Sequence, residues 1–263
     1  MPLVLIISHR KYLLVNPVER NSPAWRTWIP ALVLSLVIAL PGVASAAEAG
    51  TCGPLRLAVL YFDNNSITDR ELLEPFRKGL ADTLISDLSR IKSLRVVERE
   101  RIDAILSELQ LTQSGAIDER TAQKVGKVLG VQALILGCFT AIGPTLRVDA
   151  RVVDVETTEV ITAQEVCGDS EDFFDLEDQL VTKIAGGLAI KLSAEEKESI
   201  TGTAPQSFET VTLYSQGLDF MDRKNYTDAA ARFASALEID PEYEDAVRML
   251  AKAKERIAHE GAK

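Results

Sequence analysis

Histidine is almost absent from this chain of 263 residues. The two histidines are His9, near the amino terminus, and His259, near the carboxyl terminus. Ser-His-Asp and Cys-His catalytic arrangements, like zinc sites with histidine ligands, need a histidine inside the fold. Glycine-rich nucleotide-binding patterns are missing as well. We therefore expect a protein that is not an enzyme, with no catalytic residue, cofactor, metal ion or small-molecule substrate.

Cysteine is also scarce, with Cys52, Cys138 and Cys167 in the whole chain. Their spacing contains no Cys-x-x-Cys pair, so a redox or zinc site is not expected. An odd number leaves room for one intramolecular disulfide at most, and a Cys52–Cys167 bridge stays open. Cys138 lies in an apolar strand pattern, which indicates a buried thiol. No aliphatic residue stands three positions before Cys52, so we expect no lipid anchor.

Dense blocks of Lys or Arg are missing, and the formal net charge is −10. Proteins that bind nucleic acid carry a basic patch that neutralises phosphates, so this class of partner is excluded. An acidic surface also repels anionic lipid.

Long apolar runs are limited to residues 27–40, which follow Arg20 and Arg26. A positive region, an apolar region and the small-residue site at 44–46 are typical of a secretory signal peptide. We expect cleavage after Ala46, a periplasmic location with possible association with the outer membrane, and no integral span in the mature chain. An uncut membrane anchor is the alternative, and it stays open whether residues 1–25 are translated.

The remaining chain alternates strand and helix patterns. Residues 131–143 are apolar at both parities, which indicates a strand covered on both faces, whereas 145–155 alternates polar and apolar residues. The order β-α-β-α-α-β-β-β-α predicts an α/β domain over 54–195, with helices packed on a mixed sheet. The predicted strands are 56–64, 94–99, 131–143, 145–155 and 160–167, and the predicted helices are 71–91, 102–109, 119–130 and 176–192.

A different architecture follows a predicted linker at 196–207. Small and aromatic residues between positions 210 and 243 fit a 34-residue tetratricopeptide repeat. We predict a small all-α tail over 208–258, made of helix A, helix B and a capping helix. One repeat cannot bury its own apolar face, so it has to pack on the first domain, on a second copy or on a partner. The positions that carry the pattern are Gly217, Phe220, Ala229, Phe233, Ala236 and Pro241.

Two groups of residues are candidate partner contacts. Helix A would line the concave groove of the repeat, where a peptide or helix of a partner could bind. The charged run that ends the second strand is a second candidate, with a charged helix entry as the alternative. The helix A residues are Leu213, Tyr214, Gly217 and Asp219, and the charged run includes Glu98, Arg99 and Arg101.

Three charged patterns are candidate binding sites, each with a structural alternative. Asp63 follows the first strand, where it can cap a turn or bind a ligand. The acidic run 168–178 fits a helix start whose charge matches the helix dipole, with a cation site as the alternative. Arg147, Asp149 and Arg151 alternate on one strand face and fit a cross-strand charge ladder better than a binding site.

The segments LRVVERERIDAILSELQLTQSG (94–115) and KVLGVQALILGCF (127–139) resemble the CsgG-like family of curli assembly/transport components. The segments RLAVLYFDN (56–64) and RVVDVETTEVI (151–161) extend the resemblance over about 55–195. The resemblance implies a periplasmic α/β domain that serves secretion or envelope assembly, within a wider group that includes lipoprotein activators of cell-wall synthases.

The pore-forming members of that family are lipoproteins with long amphipathic hairpins, which this sequence lacks, so pore formation is not expected. We predict a non-enzymatic assembly factor of the cell envelope that uses its tail to dock envelope or secretion proteins. The alternatives are an oligomeric structural subunit of an outer-membrane export apparatus and an activator of cell-wall synthases.

Overall fold

The computed structural model describes residues 53–109, 111, 119–201 and 207–261. The described residues form one compact unit. The predicted signal peptide, its cleavage site and Cys52 lie outside the described residues.

The centre of the molecule is a mixed six-stranded sheet. Its main order is β3-β1-β4-β5-β6, and the short β2 pairs with β4 beside β1. β1 runs parallel to β3 and β4, and β4, β5 and β6 form an antiparallel meander. The predicted mixed α/β fold is thus confirmed. The strands are β1 (Leu55–Val59), β2 (Asp63–Asn64), β3 (Leu94–Val96), β4 (Ala133–Ile142), β5 (Thr145–Asp154) and β6 (Val160–Asp169).

The first predicted strand, 56–64, is two strands in the structure. Between β1 and β2 the pairing register with β4 steps by one residue, since Val59 pairs with Ile135 and Asp63 with Cys138. At this step the ring of Phe62 lies directly over Gly137. A side chain at position 137 would collide with this ring, so the glycine makes the step possible. Hydrogen bonds to β4 resume where Asn65 N donates to the Phe139 carbonyl at 2.8 Å.

Helices α1 and α4 pack on one face of the sheet. Phe76 of α1 packs edge-to-face on Phe139 of β4 and on Phe173 of α4, with ring centroids 4.9 and 5.1 Å apart. These rings stand at the centre of the large apolar core. The helices are α1 (Phe76–Ser89), α2 (Arg99–Glu108), α3 (Glu119–Leu129), α4 (Phe173–Gly187), α5 (Ala194–Thr201), α6 (Phe208–Asp222), α7 (Tyr226–Ile239) and α8 (Glu244–Gly261).

The other face of the sheet is covered over one half only. At that half, Gly126 of α3 sits against Leu134 and Val155, and both side chains are buried. Further along β4 the same face is open, and Cys138 is half-buried. The predictions of a strand covered on both faces and of a buried Cys138 thiol are therefore wrong for the second half of β4.

Several helix starts differ from their predicted positions. α1 begins at Phe76 because Pro75, which lacks an amide hydrogen, stands at its N-cap. α2 begins at Arg99, so the predicted strand 94–99 is shortened to β3. Before α4, Asp169 accepts a hydrogen bond from the Glu171 amide and caps a 3₁₀ turn. The acidic run is thus a capped helix start, the interpretation that the sequence favoured.

Three helices follow at the carboxyl end. α6 and α7 form an antiparallel hairpin in which Gly217 lies against the ring of Phe233, and α8 packs on α7. Ser207 and Asn225 cap α6 and α7 by accepting backbone hydrogen bonds. The predicted linker range 196–207 contains most of α5, and residues 202–206 lie outside the described residues.

Candidate functional site at the junction of sheet domain and C-terminal helices

α6 lies directly on α1, and the contact depends on two small residues. Gly79 of α1 touches Ser215 of α6, so the two helix backbones come close together. Both residues are buried, and the Ser215 hydroxyl donates a 2.6 Å hydrogen bond to the Val211 carbonyl in its own helix. The C-terminal helices are therefore docked on the sheet domain through α1.

Arg99 is the charged centre of this junction. It is the first residue of α2, and only 3% of it is exposed. Its guanidinium forms ion pairs with Asp82 of α1 at 3.3 Å, Asp103 of α2 at 3.0 Å and Asp222 of α6 at 2.9 Å. A buried cation needs such partners to offset the loss of hydration. Arg99 therefore joins two helices of the sheet domain to the first C-terminal helix.

Lys78 makes a second ion-pair link between α1 and α6. Its ammonium lies 2.8 Å from Asp219 and 2.7 Å from Asp222, one turn apart on α6. Asp222 is shared with Arg99, so the two cations and the two acids form one network. Networks of this kind fix the register and rotation of one helix against another.

Besides the links made by Arg99 and Lys78, Asp82 also connects the network to α6, because the Tyr214 hydroxyl donates a hydrogen bond to its carboxylate. Burial raises the pKa of the Asp82 carboxyl to about 6, although the charge of Arg99 opposes the shift. Burial, with the neighbouring Asp82, raises the pKa of Tyr214 far above its ordinary value. Tyr214 is thus a neutral donor to a buried acid.

A second buried acidic group lies further along α1. Burial raises the pKa of Asp87 to about 7, and burial together with Asp87 raises the pKa of Glu177 on α4. Oε1 of Glu177 and the hydroxyl of Tyr243 are buried, and neither has a hydrogen-bond partner. Burial also raises the pKa of Tyr243. The negative charge of Asp245, at the start of α8, adds to the raised pKa values of Asp87, Glu177 and Tyr243.

The rim of the junction carries weaker ion pairs. Lys252 of α8 pairs with Glu100 of α2. Arg90 at the end of α1 donates to the Ser199 carbonyl of α5 at 2.8 Å and lies 3.7 Å from Glu244 of α8. Contacts from four helices thus surround the buried network.

The predicted partner contacts fall into two environments. Tyr214, Gly217 and Arg99 are buried. On helix A, Tyr214 contacts Asp82 of α1 and Gly217 lies against Phe233 of α7, whereas Arg99 is enclosed by its ion pairs at the start of α2. Asp219 is engaged by Lys78. Glu98 and Arg101 are exposed at the start of α2, and Leu213 is half-buried. The structure therefore turns most of the predicted docking surface into an internal interface.

Four residues of this network were not predicted from the sequence: Lys78, Asp82, Asp103 and Asp222. Lys78 and Asp82 offered a signal, because they are four residues apart in α1, among the apolar positions of that helix. Charges inside an apolar pattern indicate buried ion pairs. The contacts that reach α6, however, join residues 123 or more positions apart along the chain, as Arg99 and Asp222 illustrate.

The remaining candidate residues lie on the open sheet face. Asp63 does not cap a turn: it lies 3.6 Å from Arg77, and the turn is capped by Asn64, which accepts a hydrogen bond from the Ser66 amide. Arg147 pairs with Asp149 at 2.7 Å and with Glu165 of β6 at 2.8 Å. This is the predicted charge ladder, with Glu165 of β6 as its cross-strand partner.

Within the described ranges, no group of three or more His, Cys, Asp or Glu side chains is arranged to hold a metal ion. Cys138 and Cys167 are free thiols, and burial raises the pKa of Cys138. No helix in this part of the chain combines the length and apolar content that a membrane crossing requires.

Among curated proteins, the chain is similar to "Putative adenylate cyclase 3" of Rhizobium meliloti (strain 1021), with 26% identity over 232 residues. The match covers 86% of this chain and 36% of the relative, so the chain spans about a third of that protein's length.

Similar solved structures include lipoprotein GNA1162 from Neisseria meningitidis, with a TM-score of 0.38, 16% identity, and coverage of 52% of this chain and 99% of that one. The NMR structure of LpoB from E. coli has a TM-score of 0.37 and 12% identity, covering 61% and 92%. The PelC dodecamer from Paraburkholderia phytofirmans has a TM-score of 0.33 and 10% identity, covering 53% and 90%.

The stretch from the start of the sheet domain to the β4–β5 hairpin also matches a family model. This confirms, for that stretch, the resemblance seen in the sequence. Residues 46–147 match the family described as "Curli production assembly/transport component CsgG".

Proposed function

We propose that this protein is a non-enzymatic interaction and assembly factor of the bacterial cell envelope, exported to the periplasm by the leader that ends at Ala46. The match of residues 46–147 to a family of assembly/transport components carries the proposal. The junction supports it, because the charged side chains buried there are used to hold helices together. The protein would present its sheet domain and C-terminal helices to a partner as one body.

The α6–α7 hairpin is proposed to be a single tetratricopeptide repeat, with α8 as its capping helix. Support comes from the small residues at the helix crossing, where Gly217 meets Phe233 and where Ala229 and Ala236 are buried. Because α1 covers one side of α6, an envelope or secretion protein would bind the outer surface of the junction.

The proposal is tested by affinity capture from detergent-solubilised envelope proteins, with the mature chain (47–263) as bait and mass spectrometry as readout. We expect one envelope protein to be retained, and the same pair to be recovered when that protein carries the tag. A bait that retains nothing above background, and sediments as a monomer, would contradict the proposal.

The same preparation tests the absence of catalysis, because a relative is named as an adenylate cyclase. We expect no cyclic AMP from ATP with Mg²⁺ or Mn²⁺. Turnover that is lost in Asp63→Ala would instead show an enzyme.

Self-assembly is the second candidate function, favoured by β6, a ten-residue strand at the end of the sheet order. An edge strand can pair with another chain. A ring of defined size that is independent of concentration would indicate a structural subunit of an export apparatus. Stimulation of a captured cell-wall synthase would indicate an activator.

A further inference from the structure

A groove of about 450 Å³ lies beside the junction. Both parts of the molecule form it: the segment before α1, the β4–β5 hairpin and the 3₁₀ turn contribute one side, and α6 and α7 the other. Its size is within the ~300–1,000 Å³ of typical ligand sites. Its apolar lining consists of Leu72, Leu73, Ala141, Leu146, Phe208 and Leu213.

Leu72 is an exposed aliphatic side chain that lines this groove, and 57% of it is exposed. The other leucines of the lining, Leu73, Leu146 and Leu213, are buried or half-buried and form the floor of the groove. An exposed apolar surface with a polar rim is typical of a protein-binding site.

The rim of the groove is mainly acidic. Asp69, Glu171 and Glu209 line it and are exposed, against one cation, Arg232. The three acids come from three separate segments, so the excess of negative charge surrounds the apolar floor. Complementary charge steers a partner to such a surface and selects its sign.

We propose that this groove binds a basic, aliphatic-rich peptide segment of a partner protein. The aliphatic side chains would enter the floor beside Leu72 and Leu213, and the Lys or Arg side chains would pair with Asp69, Glu171 and Glu209. The inference rests on the proposed function as an interaction factor and gives it a site and a ligand chemistry.

Charge argues against two other occupants. An acidic rim repels anionic lipid headgroups. A second copy of this chain would bring a net charge of −10 towards the same rim. A basic segment gains from both the rim and the floor.

The probe is a fluorescein-labelled peptide of alternating lysine and leucine, with a glutamate–leucine peptide as its control, measured by anisotropy at ~0.15 M salt. We expect the basic peptide alone to bind. Leu72→Glu, and separately Glu171→Lys with Glu209→Lys, should each weaken binding by about tenfold or more. The matched controls are Val247→Glu, at a 50% exposed aliphatic residue of α8, and Glu238→Lys with Glu255→Lys. These should bind as the wild type does.

Equal weakening by the controls would mean that only bulk charge is sensed, and would overturn the proposal, as would no binding at all. A change in sedimentation caused by Leu72→Glu alone would assign the groove to a second copy instead.

Affinity capture with the Leu72→Glu and Val247→Glu baits separates this inference from the proposed function. An envelope partner kept by both baits leaves the function standing and removes the groove. A partner lost from Leu72→Glu alone supports both. Groove-dependent peptide binding without any envelope partner removes the proposed function and keeps the groove.

Discussion

Glu177 and Asp87 are carboxyl groups that the fold keeps away from water. Their raised pKa values mean that the folded protein retains protons which the unfolded chain releases. Unfolding is then favoured as pH rises through the window between the unfolded and folded values, from about 4 to about 7 for Asp87. These groups therefore make the protein most stable at the acidic end of that window.

We predict that Glu177→Gln flattens this dependence. The neutral amide avoids placing a charge beside Asp87, so the variant should exceed the wild type in urea midpoint at pH 8 and differ little at pH 5. Urea unfolding followed by circular dichroism at both values measures it. Glu238→Gln, at an exposed acid of α7, is the control and should follow the wild-type profile. A Glu177→Gln profile parallel to the wild type would contradict the prediction.

For individual residues, the sequence shows which side chains carry charge but not which of them form ion pairs. The charged run around Arg99 predicts either a charged helix entry or a partner contact. In the structure Arg99 is the first residue of α2. Its burial could not be predicted, because Asp82 and Asp222 reach it only after α1, α2 and α6 have packed together. Leu213, which the sequence indicates as a partner contact, remains half-buried and lines the proposed groove.

Helix packing at the junction depends on glycine at position 79. Any larger side chain there collides with Ser215 on α6. We predict that Gly79→Leu separates α6 from α1 and lowers the free energy of unfolding, by about 1–3 kcal/mol as for other overpacked cores. Urea unfolding measures the change.

Gly186 on α4 is the matched control, because a side chain added there meets no atom within 4 Å. Gly186→Ala should raise the stability by about 0.4–1 kcal/mol, since alanine restricts the unfolded chain. If both variants change stability in the same direction, the close approach of α1 and α6 is not the cause.

Strands with a distinct apolar pattern were predicted best. The alternating pattern of 145–155 corresponds to β5, and the continuous apolar run 131–143 contains β4. Errors occurred where long-range packing decides: the step around Phe62 depends on Gly137 of another strand. Most of α5 falls in the predicted linker because its sequence is polar. In the structure it packs through two buried residues, Glu196 and Ile200.

The sheet domain and the C-terminal helices share one compact unit, so they should unfold together. We predict that a chain of residues 47–206 has a lower urea midpoint than 47–263. Removal of α6–α8 exposes the apolar face of α1 and takes Tyr214 and Asp222 away from Asp82 and Arg99. Circular dichroism measures both midpoints.

The matched control is a chain that ends at Lys254, because the described residues beyond it are exposed. It should keep the midpoint of 47–263. Equal midpoints for 47–206 and 47–263 would instead mean that the two parts are stable independently.

Shared ion pairs restrict how this protein can change during evolution. Exchange of α6–α8 between two genes would separate Asp219 and Asp222 from Lys78 and Arg99, and only recipients with cations at both places could accept the helices. The 232-residue match to the curated relative is long enough to include residues of both parts. Recombination between α5 and α6 would therefore leave these buried charges without their partners.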